Sequence, residues 1–168
     1  MDDDARWYFA YGSNMQDATF IGRRKIEPLG ARAARLPAYR LCFDIPVGPG
    51  ARGVANLSVA ADADVWGVLY LLTPSQHEHL DRTEGVPLGL YRRIDVEVET
   101  CGERIMAQTL ISENRDPSRR PSHRYRGILI EGAREHGLPE HWLATLENWE
   151  LAWDEREGSI NPPGVVRA

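Results

Sequence analysis

Trp7-Tyr8-Phe9-Ala10-Tyr11-Gly12-Ser13-Asn14-Met15 is the stretch from which the fold is read. The aromatic run from Trp7 to Tyr11 favours a buried strand, because such side chains pack well on a pleated surface. Gly12 ends the run, and Ser13 and Asn14 make a tight turn. Residues 15–25 then predict a short helix with Phe20 and Ile21 turned inward. The order at this end of the chain is therefore strand, turn, helix, preceded by a frayed tail over residues 2–6.

Downstream, residues 40–43, 54–59 and 65–72 are short β-like pieces separated by Gly, Pro and Asp clusters, of which residues 46–50 are the clearest. That spacing predicts a meandering sheet or barrel. Thr73, Pro74, Ser75 and Gln76 announce a helix: the Thr73 hydroxyl caps it, Pro74 fits the first turn, and Gln76 reaches back. It runs to about Thr83, and Gly85 supplies the left-handed turn beyond it, which puts Glu84 at the helix's carboxyl end. Residues 91–100 alternate, with Ile94, Val96 and Val98 on one side and Asp95, Glu97 and Glu99 on the other. Residues 103–111 pair with them as a hairpin. A polar loop over 113–121 carries Arg115, Arg119 and Arg120. A helix follows over 122–136, closed by Gly137, and Pro139 opens another with Trp142, Leu146 and Trp149 at core spacing. The last stretch, about 157–168, is irregular.

The 168 residues suit one domain with its core over about 7–150, and the 42% hydrophobic content is ordinary for a globular protein. With 25 acidic and 20 basic residues the formal charge is −5, so no field over the whole molecule gathers phosphate backbones, and nucleic acid is not the expected partner. Cys42 and Cys101 lack CxxC spacing and read as reduced core thiols. No paired His/Cys cluster frames a metal, and His77 and His79 stand alone. No run approaches the roughly 20 apolar residues of a membrane span, and Asp2, Asp3 and Asp4 are the opposite of a basic leader. A cytoplasmic protein without membrane partner, metal or cofactor is the expectation.

Three groups of residues are candidates for chemistry. The turn Tyr11, Gly12, Ser13, Asn14 exposes backbone N–H groups that favour a carboxylate or oxyanion, although Ser13 or Asn14 acting as a plain helix cap explains the same residues. Glu84 sits where the negative end of a helix dipole disfavours a carboxylate by about 0.3 to 1 kcal/mol, which suits a proton shuttle; a solvated side chain is the simpler reading. Tyr91 and Tyr125 follow loops, and each offers a phenol to a substrate end or serves as a core or rim residue. No GxSxG setting surrounds Ser13, and neither GxGxxG nor a phosphate loop occurs.

The segment Tyr8 to Met15 resembles the amino-terminal signature of the γ-glutamylcyclotransferases, and three later segments follow in that family's order: DVWGVL at 64–69, LDRTEGVPLGLY at 80–91 and GAREHGLP at 132–139. The resemblance spans residues 7–139. It implies an α+β fold, a small mixed or antiparallel β-barrel with surrounding helices, and it implies internal aminolysis of a γ-glutamyl amide with release of 5-oxoproline, as in glutathione metabolism. By position, Glu84 matches the catalytic glutamate, Tyr11, Gly12, Ser13 and Asn14 the substrate loop, and Tyr91 and Tyr125 the pocket tyrosines. The turn reads YGSN where glutathione-specific relatives read YGSL, which tilts the choice toward simple γ-glutamyl amino acids. Two alternatives stand beside this: the same chemistry on an unusual amine or biosynthetic intermediate, and a noncatalytic module that binds a small molecule. The leaving amine, a monomer or homodimer state, the part played by Arg115, Arg119, Arg120 and Arg124, and any contribution after Glu140 stay open.

Overall fold

The computed structural model describes residues 3–155; the tail expected at 157–168 lies outside the described residues. Five strands close a barrel in the order β1-β3-β2-β4-β5. They are β1 (Arg6–Ala10), β2 (Gly30–Pro46), β3 (Gly53–Leu72), β4 (Arg92–Thr100) and β5 (Glu103–Ile111), with α1 (Pro74–Glu84), α2 (His123–Glu135) and α3 (Glu140–Glu147) around them. Neighbours pair antiparallel except where β1 meets β5 in parallel at Tyr8 and Gln108 and closes the barrel. The Thr109 hydroxyl reinforces that seam by donating to the Phe9 carbonyl at 2.7 Å. This is the α+β barrel that the spacing and the resemblance implied.

The expected short pieces between 40 and 72 are parts of two long strands, because β2 and β3 form one continuous hairpin from Gly30 against Leu71 to Pro46 against Gly53. The breakers that divide the sequence are absorbed as irregularities. The register shifts between Pro37 and Tyr39, where Ala38 takes a left-handed φ of 65°, and again between Cys42 and Ile45. Such bulges let a ladder bend around a barrel without ending.

The expected helix over 15–25 also differs. A 3₁₀ turn over Ser13–Met15 is followed by a π-helix over Ala18–Arg23. Phe20 is buried as expected, but Ile21 is 40% exposed. A wide single turn buries only one narrow face, and Phe20 takes it by stacking on Tyr70 at 4.3 Å between ring centroids. The two cysteines depart from expectation too: Cys42 is half-buried and Cys101 is exposed at the β4–β5 turn with φ 50°.

Local signals around α1 hold in detail. Thr73 accepts from the Gln76 N–H while the Gln76 side chain accepts from the Thr73 N–H, Pro74 stands in the first turn, and Gly85 closes the helix at φ 77°. Ser122 caps α2 by accepting from the Tyr125 N–H. Val96 and Val98 of β4, Leu110 of β5, Leu129 of α2 and Trp142 and Leu146 of α3 join one buried core. No helix among the described residues is long and apolar enough to cross a membrane.

Candidate active site

Glu84 is held where the end of α1 meets the turn after β1. Its Oε1 accepts from the Asn14 side-chain amide at 2.9 Å and pairs with the Arg24 guanidinium at 3.0 Å. Asn14 is in turn fixed from the other side, because its Oδ1 accepts from Arg24 Nε at 2.6 Å and its amide also donates to the Tyr8 hydroxyl at 3.1 Å. Glu84, Asn14 and Arg24 thus form a closed ring of contacts. The Glu84 and Arg24 side chains are only 14% and 13% exposed. A carboxylate so withdrawn from water needs such a counter-cation, which offsets both burial and the unfavourable end of the helix dipole. Both contacts fall on Oε1, and no hydrogen bond is made to Oε2 among the described residues.

Behind this ring the Tyr8 oxygen is carried by an aromatic stack with Phe20 and Tyr70, and the Tyr70 hydroxyl donates to the Asn14 carbonyl at 2.8 Å. Burial pushes the Tyr8 and Tyr70 phenols well above their ordinary range. The His79 ring bonds the Arg24 carbonyl at 2.7 Å and ties the guanidinium's backbone to α1.

The expected residues converge. Tyr11, Gly12, Ser13, Asn14, Glu84, Tyr91 and Tyr125 line one inner cavity of about 50 Å³, together with Tyr8, Ala55 and Leu110. Tyr125 reaches over the turn: its oxygen accepts the Ala55 N–H at 3.1 Å and lies so near Gly12 that a Cβ there would come within 3.1 Å of it. Burial raises the Tyr125 phenol to about 12, with the Ala55 N–H working the other way, so it stays protonated and able to donate at neutral pH. Burial likewise raises the Tyr91 phenol. The Tyr11 hydroxyl, by contrast, already donates to the Leu110 carbonyl, which makes it a wall of the cavity whose hydrogen bond is committed to β5. Ser13, Glu84, Tyr91 and Tyr125 also border a wider outer cleft of about 360 Å³.

Sequence reasoning missed Arg24, Tyr8 and Ala55. Tyr8 lies inside the quoted signature, but nothing local separates its role from that of the other aromatic residues. Arg24 follows a π-helix for which no local signal exists. Of the arginines in the 113–121 loop, Arg115 bonds Asp44, Ser58 and the Leu57 carbonyl, and Arg119 bonds Asp116 and the Gly48 and Arg52 carbonyls. They brace the β2–β3 hairpin. Arg124 lies beyond that loop, in the first turn of α2, and borders the outer cleft, which Arg115, Arg119 and Arg120 do not.

The chain is similar to known proteins over most of its length. Residues 64–146 match the AIG2-like family. The chain is 34% identical to the gamma-glutamylcyclotransferase of Homo sapiens over 151 residues, 87% of this chain and 79% of that one. It is 32% identical to the gamma-glutamylcyclotransferase of Bos taurus over 154 residues, 89% and 81% of the two. A solved gamma-glutamyl cyclotransferase superposes with a TM-score of 0.78 at 29% identity, covering 95% of this chain and 94% of the other. With a shared barrel and this level of identity over most of both chains, the chain belongs to the γ-glutamylcyclotransferase family.

Proposed function

We propose that this chain converts a γ-glutamyl amide to 5-oxoproline and a free amine, with Glu84 carrying protons between the two nitrogens. The observation that supports it best is the approach of Glu84 to the Gly12–Asn14 turn within one small cavity, with one carboxylate oxygen tethered and the other available. The α-amine of the substrate attacks its own γ-carbonyl, a C–N bond forms to close the ring, and the bond to the departing nitrogen breaks. Ring closure within one molecule gains an effective molarity of roughly 10⁵ to 10⁸ M when the folded conformer is held, so positioning is the first task.

The second task is protonation. An α-ammonium with a pKa of about 8 hides its lone pair at neutral pH. The attacking nitrogen gives up two protons, one before it attacks and one after the C–N bond forms; the departing nitrogen takes one before its bond to carbon breaks and a second once it is free, which makes it an ammonium. Glu84 Oε2 serves both transfers in turn, and no net proton is exchanged with solvent. The Gly12 and Ser13 N–H groups and the Tyr125 phenol offer donors for the substrate carboxylate or the developing oxyanion.

Incubation with γ-glutamyl amino acids and detection of 5-oxoproline is the direct test; a chain that releases none from any of them is not this enzyme. Tyr125→Phe is expected to raise KM about three- to tenfold, the worth of one hydrogen bond, with a smaller effect on kcat. Steady-state kinetics check it, and an unchanged KM would reduce Tyr125 to a support for Ala55.

A further inference from the structure

The inner cavity contains one charged side chain, Glu84, and no cation. That suits a γ-glutamyl head, which carries one ammonium and one carboxylate and is neutral overall. The outer cleft is different: Arg23, Arg24, Arg52 and Arg124 line it, and Glu84 is its one acidic residue. Arg24 is committed to Glu84, and Arg52 faces Asp154 at 3.9 Å. Arg23, on the π-helix, and Arg124, in the first turn of α2, are exposed and have neither a hydrogen bond nor an ion pair among the described residues. Two guanidiniums thus border the same cleft without a counter-charge, on a chain whose net charge is −5.

Because the two cavities share Ser13, Glu84, Tyr91 and Tyr125, a substrate whose reacting carbonyl lies at Glu84 has its head in the inner cavity and its departing amine in the outer cleft. The head has no surplus negative charge for these arginines to meet. We infer that Arg23 and Arg124 select the leaving group, favouring amines that bear carboxylates over neutral ones, and more strongly as the number of carboxylates rises. This rests on the cyclotransferase reading. A guanidinium suits the task because it stays charged and its planar fork matches a carboxylate.

The test measures kcat/KM for 5-oxoproline release from three compounds whose leaving groups differ mainly in charge: γ-glutamyl-aspartate, γ-glutamyl-alanine and γ-glutamyl-alaninamide. Each added carboxylate is expected to raise kcat/KM about three- to fivefold, the upper part of the range for exposed ion pairs. The preference should fall at about 1 M salt, where the screening length is about 3 Å. In the double variant Arg23→Gln/Arg124→Gln the ratio between aspartate and alaninamide substrates should collapse to within about twofold, whereas Arg23→Lys/Arg124→Lys should keep most of it. Equal rates for acid and amide in the unaltered protein, or a preference that survives the glutamine variant, overturns the selection by charge and leaves the cyclotransferase standing. Release from none of the three overturns both.

Discussion

Glu84→Gln is expected to lower kcat for 5-oxoproline release by about 10² to 10⁴-fold, which corresponds to about 3 to 5 kcal/mol of lost proton-transfer assistance. Glutamine keeps the size of the side chain and still offers an oxygen to the Asn14 amide and the Arg24 guanidinium, so the ring of contacts around the cavity can persist. What it loses is the capacity to take a proton from the attacking ammonium and return one to the departing nitrogen. The loss should therefore fall on kcat, with substrate affinity little changed. Unfolding midpoint and direct binding of a γ-glutamyl compound provide the controls. If the variant retains most of its turnover while folded, another group carries the protons and the role of Glu84 is only to position Asn14 and Arg24.

Gly132→Ala should cost both stability and activity, although the site is in the middle of a helix where alanine is intrinsically preferred by about 1 kcal/mol. A Cβ at Gly132 would stand 2.6 Å from the Gln16 nitrogen and 2.6 Å from the Met15 carbonyl carbon. Those are backbone atoms of the segment that carries Ser13 and Asn14, and they cannot yield as a flexible side chain does. Either α2 lifts away or the turn shifts, and overpacking of this kind costs about 1 to 3 kcal/mol beyond the helix gain. For a chain of this size about 2 kcal/mol corresponds to a fall of about 4 to 8 °C in the unfolding midpoint. A displacement of about 1 Å at the turn that helps position Glu84 can lower turnover about 10²-fold even in molecules that remain folded. Thermal melting and activity measured well below the midpoint check the two effects separately. Wild-type values of both would mean that α2 accommodates the methyl group and that it does not set the position of the turn.

How much of this was legible differs from element to element. The start of α1 was legible because its signal lies within four residues: Thr73 and Gln76 bond to one another, and Pro74 fits the first turn, whatever the rest of the chain does. The same is true of its end, since Gly85 takes a conformation that a side chain would resist. Glu84 could therefore be placed on a helix terminus from sequence. The alternation of β4 was equally plain. The β2–β3 hairpin was not, because Pro37 and the Asp62 and Asp64 positions look like chain breaks until the opposing strand holds them in register, Pro37 against Asp64. The π-helix over Ala18–Arg23 left no trace in the residue pattern, and with it went the chance of finding Arg24.

The residues alone established which groups are available: a strand running into a Gly12–Ser13–Asn14 turn, a carboxylate at a capped helix end, two tyrosines after loops, and a family signature that links them. Their physical basis is short-ranged, in caps, left-handed glycines and alternation. That Asn14 meets Glu84 across 70 residues, that Tyr125 reaches the Ala55 N–H across another 70, and that Arg24 neutralises the carboxylate on one oxygen are matters of barrel closure. They depend on the pairing of β1 with both β3 and β5, where a slip of one residue would turn Tyr8 and the turn beyond it to the opposite face. Long-range register is a property of the packed molecule, and the charge on the walls of the outer cleft exists only once that register has brought Arg23 and Arg124 to the same opening.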